Sequence, residues 1–326
     1  MTQILRSSKI ELFKINDLKI NFPVGKNILQ AVRGISFSLS EGEILGIVGE
    51  SGSGKSLTTI SMLNLLPKNA IVSGTILYKG ENVFDFSKMR LQNFRGSKIG
   101  MIFQEPGRSF DPIYSIEKTF RETLLTHNKN LTKEEVYEQS IKLLKEVQIP
   151  QPEERIKNFP HQFSGGLLQR VMIALALSCN PEVLIADEPT TALDVTIQSQ
   201  IVNLLLGLQK TRKISIIFIS HNLSLISNIA DRIIVMYGGL IMEEGQTSNV
   251  LKNPKHPYTK ALLKSLPRFG DHYTDSKLFS INGNVPNPLK PETGCPFAPR
   301  CGFVKEQCKN RIPDLKNQPH IYRCII

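Results

Sequence analysis

The sequence predicts an α/β protein built on a mixed sheet whose N-terminal strands are antiparallel. Apolar and polar residues alternate over 10–22 and again over 35–39, a pattern typical of antiparallel strands near a surface. Later strands are predicted as short apolar runs at 43–48, 99–103, 183–186, 214–219 and 232–236. Helical patterns separate several of these runs, as expected for parallel strands with helices on both faces of their sheet.

Composition limits the class of protein. The chain has 326 residues, of which 40% are hydrophobic and 21% charged, so it is expected to fold rather than remain disordered. The longest apolar run, 214–219, is too short to cross a membrane, and residues 1–11 lack the apolar segment of a signal peptide. We therefore expect a cytoplasmic protein that forms no pore by itself.

The net charge of +11 is unevenly distributed, since residues 255–326 carry 12 Lys and Arg against 5 Asp and Glu. This excess suits nucleic acid, anionic lipid headgroups or phosphate-bearing ligands, and equally a solvated basic surface without a specific partner.

Two segments depart from the α/β pattern. Residues 105–180 are mostly helical in pattern and predict an inserted helical subdomain, in which 132–147 opens with a capping box of Thr132 and Glu135. Residues 254–326 hold ten of the 19 prolines and four of the five cysteines. They predict a small, loop-rich Cys/Pro-rich extension at the C-terminus.

The first motif that carries chemistry is a phosphate loop between the predicted strand 43–48 and a helical run over 57–66. It consists of Gly49, Glu50, Ser51, Gly52, Ser53, Gly54, Lys55 and Ser56. Its glycines let backbone N–H groups surround phosphates at a helix N-terminus. Lys55 would reach the β- and γ-phosphates of a nucleotide, and the Ser56 hydroxyl would bind Mg²⁺.

Two further motifs could complete a phosphate site. The apolar run 183–186 ends in Asp187 and Glu188, which suits a Mg²⁺ ligand and a general base, although acids are also common at strand ends. Ser164, Gly165 and Gly166 precede a helix that runs to 178, which suits either a second phosphate site or an ordinary helix cap.

The order of these motifs resembles that of the ABC transporter ATPases over residues 5–253. In that order stand the phosphate loop, Gln104 after the strand 99–103, Ser164-Gly165-Gly166, Asp187-Glu188, Ala192-Leu193-Asp194 and His221 after the strand 214–220. The resemblance implies a P-loop ABC ATPase core that hydrolyses ATP with Mg²⁺. It also implies a head-to-tail dimer with two ATP molecules between its subunits.

The resemblance implies a role for each motif residue. Ser164 and Gly166 would touch the γ-phosphate held by the partner's phosphate loop, and Asp194 would cross the dimer interface. Gln104 would sense Mg²⁺, and His221 would hold the attacking water in line with Glu188.

The chain departs from the family's pattern at Leu167 and Leu168, where polar residues are usual. Because the expected ATP contacts come from Ser164 and backbone groups, we expect catalysis to survive. The family also stacks an aromatic residue on adenine, for which Phe22 is the candidate and Phe13 the alternative.

The C-terminal extension indicates which group of ABC transporter ATPases the chain resembles. The segments 253–259 (NPKHPYT) and 294–301 (GCPFAPRC) resemble the ATPase subunits of oligopeptide and dipeptide importers and their nickel-importing relatives. That resemblance implies a peripheral protein at the cytoplasmic face of the membrane. Its implied partners are a second, homologous ATPase, two permeases and, through them, an extracytoplasmic peptide-binding protein.

Two other functions stay open at this point. A nickel importer is close kin, because the binding protein and permease choose the solute. An ABC ATPase that acts on nucleic acid also suits the basic charge, but the chain has a single ATPase domain without a long coiled-coil insertion, so we expect no nucleic acid partner.

The clustered cysteines, Cys295, Cys301, Cys308 and Cys324, follow the spacing C-x5-C-x6-C-x15-C. Zinc sites more often contain a tight C-x2–4-C pair. The resemblance suggests a [4Fe–4S] cluster, while zinc and four reduced thiols remain alternatives.

Overall fold

The computed structural model describes residues 10–191, 193–266 and 279–326. The predicted start of the core at residues 5–9, and Ala192 of the predicted interface motif, lie outside the described residues. The chain divides into two compact units. The first comprises the described residues of 1–85 and 220–326, and the second those of 86–219.

Strands in the described residues are β1 (Glu11–Val24), β2 (Asn27–Ser40), β3 (Ile44–Val48), β4 (Ile71–Tyr78), β5 (Glu81–Asn82), β6 (Ile99–Ile102), β7 (Val183–Asp187), β8 (Ser215–Ser220), β9 (Arg232–Tyr237), β10 (Leu240–Gln246), β11 (Lys316–Asn317) and β12 (Ile321–Tyr322).

Helices in the same residues are α1 (Lys55–Met62), α2 (Lys88–Ser97), α3 (Pro106–Ser109), α4 (Ile116–His127), α5 (Lys133–Glu146), α6 (Pro152–Arg155), α7 (Gly165–Leu177), α8 (Val195–Arg212), α9 (Leu223–Ser227), α10 (Thr247–Lys252), α11 (Pro257–Lys264) and α12 (Glu306–Asn310).

The first unit contains antiparallel strands and part of a mixed sheet. Strands β2, β1, β4 and β5 form an antiparallel sheet in that order. In the mixed part, β3 runs parallel to β9, and β9 pairs antiparallel with β10. The extension contributes β12, which adds to β10, and β11, which pairs with β12. The predicted antiparallel N-terminal strands are confirmed.

The second unit contains three parallel strands and most of the helices. Strands β6, β7 and β8 pair in that order and are almost wholly buried. Helix α5 begins with the predicted capping box, since the Thr132 and Glu135 side chains each accept from the other's backbone N–H at 3.2 and 2.8 Å. Parallel strands buried on both faces explain the continuous apolar runs of the sequence.

One difference from the sequence predictions has a local cause. Helix α1 begins at Lys55 and ends at Met62, whereas the pattern predicts 57–66; the chain leaves the helix where Asn64 adopts a left-handed φ of 50°. The extension packs on β9 through aromatic residues, since the rings of Tyr258 and Phe297 lie 4.5 and 5.4 Å from that of Tyr237.

Candidate functional site

The phosphate loop lies between β3 and α1, in the predicted context. Gly54 ends the loop with a φ of 97°, and a Cβ there would lie 2.7 Å from the Ala31 carbonyl oxygen. A Cβ on Gly49 would lie 2.2 Å from the Met236 carbonyl oxygen. Close backbone approach therefore excludes any side chain at these two positions.

Lys55, the first residue of α1, is buried with the loop around it. Its Nζ donates to the carbonyl oxygens of Gly49 and Glu50 at 2.8 and 3.0 Å. The Ser53 N–H also donates to the Glu50 carbonyl at 3.2 Å. The loop is thus closed around the ammonium group, at the N-terminus of a helix, which is an arrangement suited to an anion.

Glu50 contacts the C-terminal extension, which the sequence did not predict. Its backbone N–H donates to the Tyr258 hydroxyl at 3.0 Å, and its Oε2 accepts from Arg300 Nη1 at 2.7 Å. Burial raises the pKa of Tyr258, so the phenol stays neutral. The phosphate loop is therefore tied to residues far from it in sequence.

The acidic pair lies in the second unit at the end of β7. Asp187 is buried, and Glu188 follows it with a left-handed φ of 47°. Glu188 Oε2 accepts from Gln104 Nε2 and from the Thr191 hydroxyl, each at 3.0 Å. Two residues expected in catalysis thus lie together, and two donors fix the carboxylate, as a general base requires. Sequence reasoning missed Thr191, whose signal was its i+3 spacing from Glu188.

Ser164 and Asp194 are both exposed N-cap residues in the second unit. The Leu167 N–H donates to Ser164 Oγ at 3.4 Å, and the Ile197 N–H donates to Asp194 Oδ1 at 2.9 Å. Gly165 and Gly166 form the first turn of α7. Each motif therefore presents a helix N-terminus to solvent, and for Ser164 the local geometry is that of the ordinary helix cap that the sequence left as an alternative.

The remaining candidates of the first unit differ in exposure. His221 is exposed in the turn that follows β8. Phe22 is half-buried near the end of β1. Phe13 is fully buried, with its ring 5.2 Å from that of Tyr78, so it cannot stack on a ligand. Of the two aromatic candidates, only Phe22 has an accessible ring.

A cavity of about 310 Å³ in the second unit has a partly apolar lining that includes the residue before Gln104. Its lining includes Phe103, which is 43% exposed, together with Phe110, Tyr114 and Met172. An exposed phenylalanine at the mouth of such a cavity suits an apolar partner.

The four clustered cysteines meet in the extension as thiols without disulfides. Cys295, Cys308 and Cys324 are buried, and the Cys295 N–H donates to the Cys308 carbonyl at 2.7 Å. Burial, with smaller contributions from the other three thiols, raises the pKa of Cys295 to about 11. Nevertheless, no group of three or more His, Cys, Asp or Glu in the described residues has the geometry to hold a metal ion. A single zinc ion on these thiols is thus not supported.

None of the helices in the described ranges combines the length and the apolar character needed to cross a membrane.

Two family models match this chain. Residues 32–191 match the family model described as ABC transporter, and residues 242–308 match that of the oligopeptide/dipeptide transporter C-terminal region.

Curated relatives cover nearly the whole chain. The oligopeptide transport ATP-binding protein OppD of Salmonella typhimurium is 42% identical over 93% of this chain and 89% of its own length. The dipeptide transport ATP-binding protein DppD of Haemophilus influenzae is 45% identical over 93% of this chain and 92% of its own length.

A solved dimeric ATP-binding cassette, bound to ADP and phosphate after hydrolysis, is similar with a TM-score of 0.64 and 26% identity. The match covers 72% of this chain and 99% of that one. The fold is that of the ABC ATPase cassettes.

Proposed function

The chain belongs to the ATP-binding proteins of peptide ABC transporters, and from that premise we propose that it hydrolyses ATP to power the import of oligopeptides or dipeptides. One observation carries the enzymatic part: the Glu188 carboxylate, fixed by Gln104 and Thr191, in a chain with a complete phosphate loop. The relatives described above are peptide transport proteins, so neither nickel nor nucleic acid is favoured.

In this proposal the chain's residues divide the chemistry of hydrolysis. Lys55 would exchange the loop carbonyls for the β- and γ-phosphates. Ser56 and Asp187 are the residues that would hold Mg²⁺, and Gln104 the one that would sense it; the ion would neutralise charge on the phosphates. Glu188 takes a proton from the water that attacks the γ-phosphate in line, and His221 orients that water. Phe22 stacks on adenine.

A second ATPase completes the site. Ser164 and Asp194 are supported in this role because both are exposed, and the caps they form leave helix N-termini at the surface. Such a partner binds with its own phosphate loop against Ser164-Gly165-Gly166 of this chain, and Asp194 crosses the interface. We take it to be a distinct homologue, as in the family that the sequence resembles.

The cavity lined by Phe103 is the proposed binding site for a cytoplasmic helix of one of the two permeases. Phe103 and Gln104 are adjacent, so an apolar helix seated on Phe103 acts on the residue next to the Glu188 carboxylate. With this contact the protein would be a peripheral subunit at the cytoplasmic face of the membrane. The extracytoplasmic peptide-binding protein acts through the permeases.

For the extension we retain a [4Fe–4S] cluster, held by Cys295, Cys301, Cys308 and Cys324, as the proposed occupant. The four thiolates would be its ligands, and the effect of neighbouring thiols on the pKa of Cys295 and Cys301 supports it by indicating that these side chains lie near one another. Iron and sulfide analysis of anaerobically purified protein tests the proposal. Wild type should contain both and Cys301→Ser should lose them; wild type without iron refutes it.

The uptake of labelled dipeptides, oligopeptides and, in parallel, nickel tests the transport function. Cells that carry the Glu188→Gln variant should lose peptide uptake and keep nickel uptake. If only nickel uptake is lost, the transported solute is nickel rather than peptide, and the proposed mechanism of hydrolysis stands. If neither uptake changes, the proposed transport function is wrong.

A further inference from the structure

Glu50 places a carboxylate inside a loop that has to bind polyanionic phosphate. Like charges at close range destabilise one another, more strongly where burial lowers the local dielectric. The Glu50 side chain is 25% exposed, so solvent screens it only in part. A group that compensates this charge should therefore strengthen nucleotide binding.

Arg300 supplies the compensating charge from the C-terminal extension. Its Nη1 lies 2.7 Å from Glu50 Oε2, and its side chain is only 6% exposed. The pair joins residues separated by 250 positions in sequence. This ion pair is mostly removed from solvent, so water screens its interaction energy less than that of an exposed pair, which is close to zero.

The Arg300 guanidinium is fixed by further contacts. Nη1 also donates to the Tyr237 hydroxyl at 2.9 Å, while Nη2 and Nε donate to the carbonyls of Ile281 and Asn282 at 3.0 and 2.9 Å. These contacts hold the Arg300 guanidinium in one orientation, in which it donates to the Glu50 carboxylate.

The backbone of Arg300 is fixed as well. It ends a short 3₁₀ turn over Ala298–Arg300, in which the Ala298 N–H donates to the Cys295 carbonyl at 2.9 Å. Cys301 follows directly. Arg300 therefore stands on the turn that joins two of the clustered cysteines.

We propose that Arg300 is a positioning residue for nucleotide binding, which neutralises Glu50 and holds it within the extension so that the phosphate loop can accept ATP. Tyr258 assists by accepting the Glu50 N–H. The inference rests on the proposed ATP binding and adds a role for the extension in it.

A double-mutant cycle on the full chain tests this role, with equilibrium binding of MgATP as the readout. Arg300→Gln leaves the Glu50 charge uncompensated and should weaken ATP binding about tenfold, as a single charge interaction of about 1.4 kcal/mol would. Adding Glu50→Gln to that variant removes the repulsion and should restore most of the affinity. Arg300→Lys, which keeps the charge, should lose less than Arg300→Gln.

Two controls separate positioning from damage to the fold. Arg323→Gln makes the same change at another arginine of the extension, whose side chain donates to the Ile241 and Pro313 carbonyls, and should leave ATP affinity unchanged. The loss in Arg300→Gln should also shrink as salt concentration rises, because screening weakens a charge effect and not a packing defect.

The outcomes separate this inference from the function on which it rests. Unchanged affinity in Arg300→Gln, or a double variant no tighter than the single one, overturns the role of Arg300 while ATP binding by the wild type stands. A wild-type chain that does not bind ATP overturns the proposed function and this inference with it.

Discussion

Replacing Glu188 with Gln should abolish ATP turnover and leave ATP binding intact. Glutamine keeps an acceptor oxygen where Gln104 Nε2 and the Thr191 hydroxyl now donate at 3.0 Å, so the local structure is preserved. What is lost is the negative charge and the basicity of the carboxylate. Removing a general base slows a reaction about 10²- to 10⁴-fold, or about 2.7–5.4 kcal/mol of barrier.

The assay is phosphate release at saturating ATP, with ATP binding measured separately on the same preparations. Glu153→Gln is the matched control, since that exposed carboxylate pairs with Lys145 in the same unit, and it should hydrolyse ATP normally. Thr191→Val removes only one of the two donors and should slow turnover about 2- to 12-fold, as the loss of one hydrogen bond of 0.5–1.5 kcal/mol would. A Glu188→Gln variant that hydrolyses ATP within tenfold of wild type would refute the assignment of Glu188 as the base.

Three further predictions concern ligand binding and stability. Phe22→Ala should weaken ATP binding about 5- to 150-fold, because stacking of a base on an aromatic ring contributes about 1–3 kcal/mol; equal affinity in a titration would remove Phe22 from the site. Arg232→Gln leaves the buried carboxylates of Glu43 and Glu244 without their shared cation and should destabilise the first unit by about 3–5 kcal/mol at neutral pH. Burial already raises the pKa of Glu244, and losing Arg232 raises that pKa further. The loss of stability should therefore shrink as pH falls and Glu244 is protonated. Hydrogen exchange of β9 and β10 measures the loss, and a loss that does not change with pH would contradict the charge argument. Thr132→Ala removes the cap of α5 and should reduce its stability by about 1 kcal/mol, seen as faster exchange confined to that helix.

The elements that sequence predicts well are those with strong local patterns. The strand 183–186 is continuous in apolar residues and appears as β7, and the spacing of Thr132 and Glu135 fixes the start of α5. Strand β4 at Ile71–Tyr78 was not predicted, since Ser73 and Gly74 interrupt its alternation of apolar and polar residues. It forms because β1 offers a partner over most of its length.

In the candidate site too, local patterns predict some features, and others depend on contacts between distant segments. Motif spacing alone indicated the phosphate loop and Glu188, because phosphate binding and general-base chemistry require particular residue types at fixed positions in a strand, turn and helix. Local spacing could not reveal that Gln104 donates to Glu188 across 84 residues, or that Arg300 meets Glu50. Such contacts depend on how strands pair and where the extension packs, which sequence periodicity does not encode.

The sequence by itself therefore determined the kind of fold, and it predicts the phosphate-binding chemistry and the residues that we propose for it. Only the tertiary structure decided which of the two aromatic candidates is accessible, which donors fix the Glu188 carboxylate, and that the Cys-rich extension contacts the phosphate loop. The physical reason is that local conformation and chemistry depend on neighbouring residues, whereas burial and ion pairing depend on segments that only the folded chain brings together.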